Sequence, residues 1–350
     1  MPPDLRSPRA TVLPLLAVSV FGLGLGLVLS VAGSTLGYDF QAYVEAGRRV
    51  LDGARLYDPT IAVAGGFALF LYPPPFALVM VPFALLPSSL ALWAWEVALV
   101  AAFLIGVGLM PVRRDIRWAI VLLAGLQWPF LYTIKLGQIT PWLFLVFVVG
   151  WRQLARPASL GLSVAAGGLA KVQPALLVGW MLLTRNRRAA TWAITGVVVV
   201  SAASALILGP GTWADYVSLL RRVGEPVATP HNFTPGAIAF QLGAGRDLAG
   251  IVQVLAVGAT LVVAALACLR APLETSYVVT VVASQLVSPL LWDHYAMLLL
   301  IPTAFLLERR QWWAVLIPLA GWLPAPIYPV LFGAGLLGPL LAGRGLVRGS

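Results

Sequence analysis

The sequence predicts an all-α polytopic membrane protein, and three observations carry that reading. Of its 350 residues 60% are hydrophobic and only 10% charged, with a mean hydropathy of +0.91; a soluble globular domain is roughly one-quarter charged. The apolar residues fall in long runs parted by short Arg clusters. The runs number about twelve, some long enough to cross a bilayer and others only half that length, which take roughly 20 residues or fewer.

In order, the runs are 12–32, 88–110, 116–134, 139–151, 158–171, 174–184, 190–209, 250–269, 273–291, 295–307, 311–324 and 328–342. The first follows a basic start, the outline of a signal peptide, but its length suits a retained span with the N-terminus in the cytoplasm. The short runs pair as hairpins whose tips reach partial depth, where protein or a wet cavity must cover the backbone. The stretch 71–87, "LYPPPFALVMVPFALLP", decides the topology, since counting it as a full span inverts everything after it. Read as a shallow outer segment, it leaves Arg113, Arg114, Arg117, Arg152, Arg156, Arg185, Arg187, Arg188, Arg270, Arg309, Arg310, Arg344 and Arg348 in the cytoplasm with Arg6 and Arg9. The inverted arrangement exports all but the last two, against the bias of Lys and Arg to the cytoplasmic side. Both termini are therefore expected inside, in a single transmembrane domain over 1–350 with outer-face loops at 33–75 and 209–249.

Within the first loop, Phe40, Tyr43, Val44, Gly47, Val50 and Leu51 recur at helical spacing, the pattern of a helix lying in the interface; 213–223 resembles another. The net charge of +10 would suit nucleic acid or an anionic surface. Its distribution in clusters beside apolar runs indicates membrane lipids and no nucleic acid. Cys268, the single cysteine, excludes an internal disulfide framework and a Cys-rich metal site.

This topology brings the unusual polar residues to one side: Asp39, Tyr72, Lys135, Gln138, Lys171, His231, Asn232, Asp293 and His294. Asp39 either caps a helix or serves as a general base, and both need it ionised. Lys171 sits between two apolar stretches; a charge there costs about 3 kcal/mol on insertion scales and marks an anion site unless it snorkels to the interface. His294 is a ligand contact or a helix-end histidine bonded to Asp293 or a carbonyl, and Asp293 either orients it or caps the helix. Glu96 lies mid-helix, paired or protonated. Neither histidine has metal-ligand spacing, so no metal is expected, and no phosphate-loop or nucleophile-elbow motif is present. A carboxylate, a lysine and a histidine in an outer cavity suit an enzyme with a lipid-linked phosphate donor: the cations would neutralise the leaving phosphate while the carboxylate takes a proton from an acceptor hydroxyl.

The stretches "YDFQAYVEAGRRVLDGARLYDP" (38–59), "YPPPFALVMVPFALLP" (72–87), "LGQ" (136–138), "GLAKVQPALLVGWMLLTRNRR" (168–188) and "SPLLWDHYAMLLLIP" (288–302) together resemble the polyprenol-phosphate-dependent glycosyltransferases of family 87, members of the GT-C superfamily best known as mycobacterial mannosyltransferases. The resemblance implies a GT-C-type helical bundle with an extracytoplasmic active site. It implies transfer of a hexose, chiefly mannose, from a polyprenyl-phosphate sugar to a glycolipid or polysaccharide acceptor, with inversion and no cofactor. Asp39 matches the family's first-loop base, and Lys171 and His294 match candidates for the donor phosphate; Tyr43, Tyr72, Gln138, Asp293 and His231 are expected in support. Thr140 departs from the family's residue two positions after the Gln. A transporter or flippase for polyprenyl-linked sugars is the alternative, and would spread ionisable residues through the membrane depth.

Overall fold

A computed structural model describes residues 9–57, 70–222, 226–229 and 231–344. The expected loop 33–75 is therefore described except for 58–69, and 209–249 except for 223–225 and 230. Among the described residues every regular element is a helix and none is a strand. The first eight are α1 (Arg9–Ala32), α2 (Tyr38–Leu51), α3 (Pro74–Ala84), α4 (Ser88–Leu109), α5 (Arg114–Leu126), α6 (Trp128–Leu136), α7 (Thr140–Arg152) and α8 (Pro157–Ala170). They are followed by α9 (Leu176–Leu183), α10 (Arg187–Leu208), α11 (Gly211–Arg222), α12 (Pro235–Gln241), α13 (Arg246–Arg270), α14 (Leu273–Leu286), α15 (Leu300–Glu308), α16 (Leu316–Leu319) and α17 (Ile327–Arg344).

Four helices are long and apolar enough to cross a membrane: α1, α4, α10 and α13. A fifth crossing arises if α5 and α6 are one bent span. Their outward sides carry bare apolar side chains, Leu23 at 73% exposure, Leu206 at 88% and Val254 at 71%, a surface that suits lipid and not water. This is a membrane protein. The remaining apolar helices are shorter.

Close helix contacts rest on small residues, as they must where lipid removes the usual hydrophobic drive between helices. At the α1–α5 crossing a Cβ on Gly24 would fall 2.4 Å from the carbonyl oxygen of Gly125, and one on Gly125 would fall 2.6 Å from the Cα of Phe21. Each helix thus needs the other's glycine. At the centre, α14 is buried on all sides from Thr275 to Leu286. Three of its hydroxyls are satisfied within the helix, Ser276 donating to the Leu273 carbonyl, Thr280 to Ser276 and Ser284 to Val281, and that of Tyr277 donates to the Phe147 carbonyl of α7. Those three cost little because each returns to its own turn.

Two sequence expectations need correction. The run 116–134 is not one straight helix; it turns by 67° between α5 and α6. Pro129 has no N–H for the α5 ladder, so the chain is extended at Gln127 and restarts, the usual cause of a sharp kink. The apolar side of α2 is mostly covered by protein and not left to lipid, with only its last residue, Leu51, exposed. Phe40, Tyr43, Val44 and Gly47 are buried; Phe40 stacks on Trp95 of α4, and a Cβ on Gly47 would reach within 2.8 Å of the Met80 oxygen of α3. The amphipathic pattern is genuine, but its partner is protein.

Candidate active site

Asp39 is held by two helix ends that meet glycine to glycine. Helix α6 ends in a Schellman motif, with Gln138 N–H donating to the Thr133 carbonyl and Gly137 N–H to that of Ile134, a closure that needs a left-handed residue at Gly137, whose φ is +68°. Helix α2 begins after Gly37, also left-handed at φ +69°, and the Gly37 N–H donates to the Lys135 carbonyl at 2.9 Å. A Cβ on Gly137 would lie 2.9 Å from that of Phe40 and 3.2 Å from the Cα of Gly37. From α4, the Trp95 indole donates to the Gly137 carbonyl at 2.7 Å. The cap of α2 is therefore Gly37; Asp39 sits in the first turn, where its charge opposes the helix dipole favourably and its carboxylate is free for other work.

The Gln138 side chain donates to Asp39 Oδ2. Its Oε1 accepts from the Tyr43 and Tyr72 hydroxyls, each at 3.0 Å, and the two hydroxyls are 2.7 Å apart. This fixes the amide's orientation: a carboxylate only accepts, so Nε2 must face Asp39. Burial pushes the Asp39 carboxyl up to about 6; the Gln138 bond and the charge of Lys171 oppose the rise, and Asp293 adds to it.

Lys171 leaves α8 in extended backbone. Its Nζ is buried without a hydrogen-bond partner and lies 3.7 Å from the centre of the Tyr295 ring and 5.7 Å from that of Tyr72. The snorkelling alternative fails, because the amine is stored against aromatic faces with its three donors unspent. Burial draws it down to about 7, with Asp39 acting the other way.

Residues 293–299 form a 3-10 turn. The imidazole of His294 is 3% exposed and neither ring nitrogen has a hydrogen-bond partner; it packs against Trp292 and edge-on to Tyr295. Of the two roles open to Asp293, orienting the His294 ring or capping the helix, the structure favours the cap: Oδ1 stands 3.8 Å from Nδ1, too far for a hydrogen bond. Asp293 instead accepts from the His294 backbone N–H at 2.9 Å and from the Trp128 indole at 3.0 Å; it caps the turn and does not orient the ring. His231, exposed and left-handed at φ +57°, lies within electrostatic reach of Asp293. Asn232 ties this segment to the 288–292 loop, donating to the Pro289 carbonyl and accepting from Leu291 N–H.

Asp39, Tyr43, Tyr72 and Gln138 thus form one network, Lys171 adjoins it through Tyr72, and His294 joins through Tyr295. Sequence reasoning missed Tyr295, Trp95 and Trp128; Tyr295 directly follows the "WDH" triplet, and Trp95 belongs to the aromatic pair of "LWAWE". Glu96 has no hydrogen-bond partner for either carboxyl oxygen, so the paired alternative fails. Among the described residues no three of His, Cys, Asp and Glu gather as metal ligands. The geometry offers a half-buried carboxylate and an ammonium without a hydrogen-bond partner, suited to moving a proton and receiving an anion.

Residues 70–289 match the model of glycosyltransferase family 87. Across 358 aligned residues, covering 87% of this chain and 83% of the relative, the sequence is 26% identical to the polyprenol-phosphate-mannose-dependent alpha-(1-2)-phosphatidylinositol mannoside mannosyltransferase of Mycobacterium tuberculosis. No solved structure matches the chain.

Proposed function

Because the chain belongs to glycosyltransferase family 87, we propose that it is an inverting mannosyltransferase of the GT-C type, taking mannose from polyprenyl phosphate mannose and giving it to a glycolipid or polysaccharide hydroxyl on the extracytoplasmic face. Its chain would thread the membrane in about twelve full or half crossings, with both termini inside. The relative's donor supports the first part. The observation that carries the mechanism is the placement of Asp39, oriented by Gln138, next to an ammonium with no carboxylate bonded to it.

In this mechanism the acceptor hydroxyl attacks the anomeric carbon. Its proton passes to Asp39, the new C–O bond forms, and the bond from the anomeric carbon to the phosphate oxygen breaks with its electron pair. Polyprenyl phosphate leaves carrying one more negative charge, which Lys171 and an N–H of His294 receive. Donors already in place need no reorganisation as charge develops, which is why they can contribute strongly in a dry site. Asp39 is followed by Phe40, not a second acid, and Lys171 supplies the positive charge, so transfer should be insensitive to a chelator.

The test is a membrane assay with radiolabelled polyprenyl phosphate mannose. Asp39→Asn should cut transfer by about 10²- to 10⁴-fold, the range for loss of a general base. Equal product from variant and wild type would sink the assignment.

A further inference from the structure

One face of α6 is not used by this mechanism. Trp128, Tyr132 and Lys135 stand at i, i+4 and i+7, the spacing of a single helix face, and all three are partly exposed, whereas Pro129, Phe130, Leu131, Thr133 and Ile134 on the other sides are buried. The rings make a wall: Trp128 stacks on Tyr132 with centroids 4.9 Å apart, and Trp322 stands 5.3 Å from Trp128 at 56% exposure. The wall is rigid. The Trp322 indole donates to the Leu126 carbonyl at 2.6 Å and that of Trp128 to Asp293.

Its rim is polar, with both donors and acceptors. The Lys135 ammonium lies 5.8 Å from the Tyr132 ring centre, and the Trp128 indole brings the Asp293 carboxylate to the other end. The wall therefore begins at Asp293 and ends at Lys135, whose carbonyl accepts from the N–H of Gly37, two residues before Asp39.

We propose that the Trp128–Tyr132–Lys135 face of α6, with Asp293 at its head, is the subsite on which the sugar ring of the acceptor packs. This rests on the glycosyl-transfer reading above. A pyranose has C–H faces that pack on aromatic rings and a rim of hydroxyls that both donate and accept; a bare alkyl alcohol would have no use for Lys135, Tyr132 and Asp293 together. Geometry agrees. An inverting displacement brings the acceptor in opposite the leaving phosphate, so the two must be held by different walls, and Lys171 is held by Tyr72 and Tyr295, outside α6.

The test reads binding without donor, so that it is separable from turnover. The full chain in nanodiscs is titrated with soluble α-mannobiose, and in a second arm with a dialkyl mannoside doped into the lipid, following the quench of tryptophan emission. Tyr132→Leu and Lys135→Gln should each weaken mannoside binding about tenfold, and Tyr132→Phe, which keeps the ring and the packing, about threefold. Binding of both probes would place recognition in the sugar alone, and binding only of the lipid-borne probe would make the acceptor a glycolipid; either, if lost in the variants, supports the subsite. Failure of wild type to bind either probe, or equal affinity in wild type and all three variants, overturns it. An Asp39→Asn chain that binds mannoside normally but transfers nothing keeps the two assignments distinct.

Discussion

At the end of the bundle where α7 finishes and α14 begins, the charges answer one another. Glu274 accepts from Arg309 at 2.7 Å and from the Trp151 indole at 2.9 Å, Glu308 accepts from the backbone N–H of Arg113 and faces its guanidinium, and Arg309 also covers the Phe305 ring. At the opposite end, where α7 begins and the chain leaves α14, the Lys171 Nζ and both ring nitrogens of His294 are buried and unpartnered, whereas among the described charged residues of the first end only single Nε atoms of Arg117 and Arg309 are left so. Leaving such groups unpaired costs stability, of the order of 1–3 kcal/mol or more each, and a fold optimised only for stability would have supplied partners, as it does at the other end. The contrast supports the proposed placement of the donor phosphate at this end.

The largest effect that would break this contrast comes from removing the stored charge. Lys171→Met keeps much of the stem's bulk against Tyr295 but takes away the ammonium, and transfer should fall by about 10²- to 10³-fold, the scale for losing one preorganised electrostatic donor. The folded fraction in detergent should not fall, since a buried unpaired charge is removed. A variant that unfolds yet, where folded, transfers at the wild-type rate would make Lys171 a structural residue.

A smaller effect is expected from pH. In the proposed mechanism Asp39 is ionised, and burial raises it from 3.8 to about 6; Lys171 is protonated, and burial lowers it from 10.5 to about 7. The rate at low donor concentration should therefore rise with pH through about 6 and fall through about 7, a narrow bell in kcat/KM. Stability has the opposite sense. The folded form holds the Asp39 proton more tightly than the unfolded chain, so this contribution is full below 3.8 and is lost as pH rises through about 6; the Lys171 contribution is full above 10.5 and is lost as pH falls through about 7. Between the two values both groups are charged at the expense of the fold. Asp39→Asn should then unfold at a higher temperature than wild type at pH 7 and at the same temperature below pH 4, measured in detergent; equal curves at both would contradict the burial argument.

Much of this contrast was legible in the sequence, for a physical reason. In a membrane protein, a polar residue inside an apolar run stands out because so few are tolerated there, so Asp39, Lys171, Gln138 and His294 announce themselves. The kink at Gln127 was hidden because the residues on either side of it, 118–126 and 128–132, are apolar or aromatic, and only Gln127 and Pro129 marked the break. The aromatic residues were hidden differently. Tyr295, Trp128 and Trp95 look like packing among the other rings of the chain, and what distinguishes Tyr295 is an ammonium 3.7 Å from its centre, a contact between residues 124 positions apart that no local pattern records. Asp293 and His294, adjacent in sequence, read as a pair; the fold turns the imidazole away and gives Asp293 to Trp128, because in a 3-10 turn the nearest donor to the carboxylate is the next backbone N–H.

The smallest effect belongs to the paired end. Glu274→Gln removes the charge facing Arg309 while leaving an oxygen for the Trp151 indole. The pair is open to solvent, 21% exposed at Arg309 and 36% at Glu274, so screening limits its worth to roughly 0–1 kcal/mol. Denaturation of the variant should shift by no more than that, the shift should shrink as salt is raised, and kcat and KM for the donor should stay within about twofold of wild type. A change in transfer as large as that at Lys171 would mean that the two ends of α14 are coupled, and that the arginine-rich end helps set the geometry of the site through the buried helix between them.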